Sequence, residues 1–384
     1  MGKQVKTPRF YVDMPTFLHA TGQLGWARQD NRGGPELLYM NPSNPFVRET
    51  GDDLPFRIGN KDENPIKSAF PINFVGLLNH NLASDSNAYR VVGIAQEWGD
   101  SNDGFKWTTL THSSNYSENI INTQLNGNDI NSEFNGTSIF TLNEPLNKHW
   151  NTFQLKYENG SDDSVDHQLG SLVVGKYWDA PNSPDLSLTM SRRFDGIKKQ
   201  KTIGGKTLAN IYYDGPTEWT MNHPSDGTYK YPPFELDLPT ITDQEVLYGR
   251  RAKSGLGRKG LRSWKLTFSY ISEDDMWMAY ENSSLAPFDM QNQQFSTVTD
   301  TDVPTDDGES VADFLKPNPM LSDKSFNFVW NCTLGGTLPF IFQPDNTNNN
   351  PDQFSICNFR GNSLSVTQVA HNTYKLSITI DEVA

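Results

Sequence analysis

Apolar and polar positions alternate with a period of two in several stretches of this 384-residue chain. Phe153, Leu155 and Tyr157 are interleaved with Thr152, Gln154 and Lys156. Trp264, Leu266, Phe268 and Tyr270 alternate with Ser263, Lys265, Thr267 and Ser269. Near the C-terminal end, Leu376, Ile378 and Ile380 alternate with Lys375, Ser377 and Thr379. Successive side chains of a strand point to opposite faces, so each stretch predicts a strand with one buried and one solvated side. For 374–380 the expectation is specific. Leu376, Ile378 and Ile380 should face a barrel interior or a helix, with Lys375, Ser377 and Thr379 on the other face.

Shorter segments predict further strands at 72–78, 89–94, 169–175, 339–343, 355–359 and 364–369. Arg9-Phe10-Tyr11-Val12-Asp13 predicts an extended start. The best helix start is at Glu273-Asp274-Asp275-Met276, with Ser272 as N-cap and acidic residues in the first turn. Gly33-Gly34-Pro35, Asn41-Pro42 and Asn44-Pro45 punctuate the first 60 residues, which otherwise read as ordered loops. Asp179-Ala180-Pro181-Asn182-Ser183-Pro184-Asp185 has two prolines and no branched aliphatic residue, and reads as an extended joint. The implied organisation is a turn-rich segment at 1–60 packing on a first β domain at 61–178. A linker at 179–186 and a second β domain at 187–384 follow, with a long polar insertion near 281–325. No internal repeat of fixed period is present.

Composition sharpens this picture. Hydrophobic residues make up 35% and aromatics 12%, with 29 Gly and 23 Pro, which suits many short strands joined by ordered turns. The net charge of −14 disfavours a general nucleic-acid binder, which would carry a basic surface. The first residues, Met1-Gly2-Lys3-Gln4-Val5-Lys6, lack an apolar segment. Synthesis in a reducing cytoplasm is therefore expected, with Cys332 and Cys357 both free and buried. No apolar run approaches the roughly 20 residues of a membrane helix, and Lys6 stands where a myristoylation signal wants Ser or Thr.

Candidate chemistry is sparse. Gly255-Leu256-Gly257-Arg258-Lys259-Gly260 has dinucleotide-fingerprint spacing but is followed by a strand, where a helix is needed. Ile203-Gly204-Gly205-Lys206-Thr207 ends like a phosphate loop, yet Gln200 replaces the required earlier glycine. It reads as a β-turn with solvated lysines. The acidic stretches Asp162-Asp163-Ser164-Val165-Asp166, Asp300-Thr301-Asp302 and Asp306-Asp307-Gly308-Glu309 read as solvated loops, because their spacing does not match a calcium-binding loop. His80, His19, His112, His149 and His167 are scattered without metal-ligand spacing. No nucleophile elbow or metalloprotease helix occurs. No catalytic residue, cofactor or metal is assigned, although carboxylate pairs for glycoside hydrolysis are spatial and stay open.

Several segments together resemble tailed-phage virion structural proteins. Phe74-Val75-Gly76-Leu77-Leu78-Asn79-His80-Asn81-Leu82, His149-Trp150-Asn151-Thr152-Phe153-Gln154-Leu155 and 169–178 are similar to strands of galactose-binding-like β-sandwich modules in tail proteins. Arg262-Ser263-Trp264-Lys265-Leu266-Thr267-Phe268 followed by Ser272-Glu273-Asp274-Asp275 resembles the strand-to-helix step of distal-tail and tail-tube barrels. Leu338-Pro339-Phe340-Ile341-Phe342 and the last strand fit the same pattern. The resemblance implies a mostly β fold, a galactose-binding-like β-sandwich followed by a distal-tail/tail-tube-like β-barrel with one flanking helix. It covers most of 65–384 and departs from the family at 281–325 and in the first 60 residues.

The function so implied is that of a non-enzymatic distal tail or baseplate/tail-tip ring component, with no cofactor. Its expected partners are copies of itself, in the family's usual sixfold ring, and tail tube, hub or fibre proteins. Neither a membrane nor a specific nucleic acid is expected as partner. It would be made in the host cytoplasm and reside in the virion tail. Arg192, Arg193, Lys198, Lys199, Arg258 and Lys259 lie in basic loops of an acidic chain and are candidate inter-subunit contacts. A solvated basic face is the other reading of the same residues. A carbohydrate-binding adhesin is the main alternative, with Trp98, Trp107 and Tyr116 as stacking candidates. A hydrolase and a head or connector protein are the others.

Overall fold

A computed structural model describes residues 5–22, 37–40, 46–48, 56–58, 70–80, 89–97, 106–109, 116–119, 125–126, 129–130, 136–142, 148–157, 167–193, 197–211, 261–278, 324–349 and 353–383. The chain is mostly β. It opens with β1 (Arg9–Asp13), α1 (Met14–Ala20), β2 (Phe46–Arg48), β3 (Phe56–Ile58), β4 (Phe74–His80), β5 (Tyr89–Glu97) and β6 (Lys106–Thr109). Then come β7 (Tyr116–Asn119), β8 (Leu125–Asn126), β9 (Asp129–Ile130), β10 (Gly136–Leu142), β11 (Lys148–Tyr157) and β12 (His167–Asp179). The rest comprises β13 (Thr189–Arg193), β14 (Ile197–Lys201), β15 (Thr207–Ile211), β16 (Leu261–Ser272), α2 (Glu273–Met276) and α3 (Phe326–Cys332). It ends with β17 (Phe340–Gln343), β18 (Ser355–Phe359), β19 (Ser365–Ala370) and β20 (Thr373–Glu382).

One twelve-stranded antiparallel sheet dominates, in the order β13-β16-β20-β18-β17-β1-β12-β4-β10-β7, with β19 beside β20 and β2 beside β12. A six-stranded sheet runs β3-β11-β5-β9-β8, with β6 beside β5. The hairpin β14-β15 forms a sheet of its own. Strand β1 is central. Phe10 pairs with Trp178 on β12 and with Phe342 on β17, so the large sheet continues across the joint at 179–186. That joint is tied down by Ala180 N–H donating to Pro8 O at 2.9 Å and by Asp185 N–H donating to Thr267 O at 2.8 Å. The Arg9 guanidinium grips Asp179 through two bonds of 2.6 and 2.8 Å.

The central strands are buried on both faces, which is why they are apolar runs with little alternation. Phe10 and Val12 join the larger core, while Tyr11 joins a second cluster with Phe74, Leu78 and Val173. The six-stranded sheet contributes Phe56, Ile58, Phe153 and Leu155 to the larger core. Phe10 is an aromatic hub, with ring centroids of Phe342, Trp178 and Phe340 at 5.2, 5.6 and 5.7 Å. Gly175 on β12 lies so close beneath β1 that a Cβ would stand 2.1 Å from the Val12 carbonyl oxygen. Backbone cannot rotate away as a side chain can. Gly175→Ala is therefore expected to cost about 3 kcal/mol, near the top of the overpacking range, read as a lowered denaturant midpoint.

The C-terminal strand matches its pattern. Leu376, Ile378 and Ile380 are buried in the larger core, while Lys375 and Ser377 are exposed and Thr379 is half-buried. β16 departs from its pattern at one residue. Trp264, Leu266 and Phe268 are buried, but Tyr270 is 75% exposed and Ile271 takes the core position. The cause is a β-bulge: between the pairs Phe268–Leu376 and Ile271–Tyr374, Ser269 and Tyr270 stand opposite Lys375 alone, which reverses the facing of everything beyond it.

Three helices occur among the described residues, where one flanking helix was expected. α2 starts as expected, with Ser272 Oγ accepting from Asp275 N–H at 3.2 Å. α1 lies in the first 60 residues, read as loops beyond 9–13, as do β2 and β3. α1 and α3 are seven residues each and held by their buried Phe, Leu, Val and Met side chains. Helices that short owe their stability to tertiary packing. Both cysteines are free and buried, as expected.

Candidate subunit interface

β13 ends the large sheet on one side. Antiparallel register sets Met190 beside Trp264 and Arg192 beside Arg262 on one face. Trp264 is 1% exposed but Met190 is 42% exposed, so the core stops at β16 and β13 projects beyond it. All five β13 side chains are exposed. Its outer edge has no strand partner among the described residues.

The hairpin β14-β15 follows directly. Its turn is closed by Thr202 N–H to Lys206 O at 2.8 Å and Gly205 N–H to Thr202 O at 2.9 Å. Gly205 has φ +79°, a conformation that favours glycine. This is the β-turn with exposed lysines that the Ile203–Thr207 pattern suggested. Ile203 at its tip is fully exposed, and Leu208 is about half exposed. With Leu186 and Met190, they place half of the exposed large apolar side chains of the described residues on or beside this arm.

The same arm is basic. Residues 187–211 hold six Lys and Arg against one Asp, in a chain of net charge −14. Arg192 directly opposes Arg262, a pairing that like charges disfavour. Glu382 removes the conflict. Its carboxylate accepts from Arg262 Nη2 at 2.7 Å, Nε at 3.0 Å and backbone N at 2.7 Å. On the other face, Arg360 clamps Asp381 through bonds of 2.7 and 2.6 Å. That clamp, with smaller help from Ser263 and from the charge of Arg193, holds the Asp381 carboxyl below its ordinary range. The inner anions are thus committed to Arg262 and Arg360. Arg192 has no carboxylate partner among the described residues.

The other candidate residues are dispersed. Lys198 and Lys199 lie on β14 opposite Asn210 and Ala209, close in sequence to Arg192 and Arg193. Arg258 and Lys259 fall outside the described residues, as do Trp98, the acidic stretches and Gly255–Gly260. Trp107 lies on β6 of the six-stranded sheet, beside Ile94, while Tyr116 begins β7 at the far end of the large sheet. His80 is fully buried with Nε2 2.9 Å from Ser138 Oγ, and burial pushes its pKa down to about 3, which keeps the ring neutral. No cluster of metal-ligating side chains occurs among the described residues, and no described helix is long and apolar enough to cross a membrane. The exposed apolar side chains of the arm were not anticipated, because a leucine or methionine in a strand normally signals core. No protein-family model, no curated protein and no solved structure matches the chain.

Proposed function

We propose that the chain is a non-enzymatic structural subunit of a tailed-phage virion, in the distal tail or baseplate, where copies form a ring linking the tail tube to hub or fibre proteins. One observation carries this reading: a projecting arm, both basic and apolar, on an otherwise acidic chain. Such an arm is matched in charge to the rest of a second copy. A ring uses two different surfaces of each subunit, and an asymmetric charge distribution supplies them.

The segments that resemble tail proteins are consistent with the reading. They fall on β4, β11 and β12, and on β16, α2, β17 and β20. In this reading the first group supplies a sandwich-like half and the second the ring-building half of a fold whose large sheet runs through both. The subunit is made in the host cytoplasm and ends in the tail. Antibody labelling of intact virions, with peptide mass spectrometry of purified tails, tests the placement. Label at the tail end, in several copies per particle, is the expected result. Label confined to heads or absence from particles contradicts it.

A further inference from the structure

Strand β19 presents a sheet edge unlike that of β13. Among the described residues it pairs only with β20, and five of its six side chains are exposed. Natural sheets blunt open edges with charges, prolines or bulges. The sequence Ser365-Val366-Thr367-Gln368-Val369-Ala370 holds no charge and no proline. Among the described residues its protective device is a bulge between Gln368 and Ala370. β13 carries Arg192 and Arg193.

The two edges differ in what they can pair with. β13 against β13 brings arginines together, which is unfavourable. β19 against β19 is a twofold contact that stops at a dimer. β13 against β19 brings the arginines beside neutral residues and leaves each copy with one edge of each kind, so the contact repeats. Charge also selects the direction. Ala370 pairs with Thr373, which pairs with Ser272, the residue that begins the acidic turn of α2. Glu273 N–H donates to Asn372 O at 3.1 Å, which fixes that turn beside the end of β19. Glu273 and Asp274 are exposed there. A β13 strand lying parallel to β19 brings Arg192 and Arg193 to this acidic end. Lys375, exposed opposite Thr367, lies nearer the middle of the strand.

We propose that β13 of one copy adds, parallel, to the outer edge of β19 of a second copy, with Arg192 and Arg193 beside Glu273 and Asp274, so that the large sheets of successive copies become continuous. The inference rests on the ring-subunit reading above and names the surfaces that close the ring.

The test uses the purified full chain, with assembly followed by sedimentation at low salt. Thr367→Lys with Val369→Lys places like charge opposite the arginines. Arg192→Glu with Arg193→Glu reverses the arm. Each double variant is expected to weaken association by about tenfold or more while leaving the near-ultraviolet circular dichroism unchanged. Adding Glu273→Lys and Asp274→Lys to the arm variant is expected to restore association. If the wild type assembles and both double variants assemble equally well, the β13–β19 contact is refuted and the ring reading stands. Loss of assembly in the β19 variant alone points to a twofold β19 pair and overturns the proposal. A wild type that stays monomeric removes both.

Discussion

Replacing Glu382 with alanine is expected to lower the folding free energy by about 3–5 kcal/mol, the range for breaking one partner of a buried ion pair. The side chains of Arg262 and Glu382 are only 10% and 6% exposed. The carboxylate accepts three bonds from one arginine residue, two from its guanidinium and one from its backbone. Without it, the guanidinium keeps the Phe354 carbonyl at 3.0 Å and the Ser355 hydroxyl, but no anion among these contacts. Arg262 would then face Arg192 without the Glu382 carboxylate, so the damage falls on the edge proposed for docking. Glu382→Gln keeps the shape and an acceptor and should cost less. Arg262→Met with Glu382→Leu removes both charges and is expected to recover most of the loss. Urea unfolding of the four proteins measures this. A loss below about 1 kcal/mol in the alanine variant, the scale of an exposed pair, would contradict the account.

Asp13→Asn should act in the opposite direction, and only above acid pH. Asp13 closes β1 and precedes α1, and it is 3% exposed. One oxygen accepts from Val174 N–H at 3.2 Å, and the other accepts from the Thr16 hydroxyl. Thr16 Oγ1 in turn accepts from Tyr39 N–H at 2.9 Å, so the carboxyl anchors β12, α1 and residues 37–40 together. Burial outweighs these hydrogen bonds and pushes its pKa from 3.8 up to about 7. The folded value lies above the unfolded one. Between about pH 4 and 7 the folded chain therefore keeps a proton that the unfolded chain has released. The stabilisation is complete below pH 4 and is lost as pH rises through 7. Three units correspond to about 4 kcal/mol. Asparagine keeps an acceptor oxygen for Val174 N–H, and its amide NH2 can donate to Thr16 Oγ1 where the carboxylate accepted, without titrating. The variant should match the wild type near pH 4 and exceed it by up to about 4 kcal/mol at pH 8. Denaturation at both pH values reads this difference directly. A variant less stable than wild type at pH 8 would show that the anion is the preferred form.

How much of this could be read from the chain depends on the range of the interaction. β20 was legible because one face meets solvent and the other the core, which writes the period directly into Tyr374-Lys375-Leu376-Ser377-Ile378. β1, β4 and β12 were legible as apolar segments, but not as neighbours. β1 meets Gln343 across most of the chain's length and Asp179 across nearly half of it, and nothing local specifies such pairings. Tyr270 was misread because its bulge carries no glycine or proline to announce it. The basic character of Arg192, Arg193, Lys198 and Lys199 was plain from composition. Their union with exposed Met190, Leu186 and Ile203 was not, because it depends on where the core stops. The same holds for β19, which is read as a strand from its residues but becomes an edge only through the order of the sheet.

The central claim is that this chain builds a repeating assembly from two different surfaces. Mass measurement of the purified wild-type protein by light scattering, with electron micrographs of the same fractions, tests it most directly. Closed rings of a single copy number, sixfold by the family resemblance and dissociating as salt is raised, are the expected result. A strict monomer at every concentration and salt would contradict it.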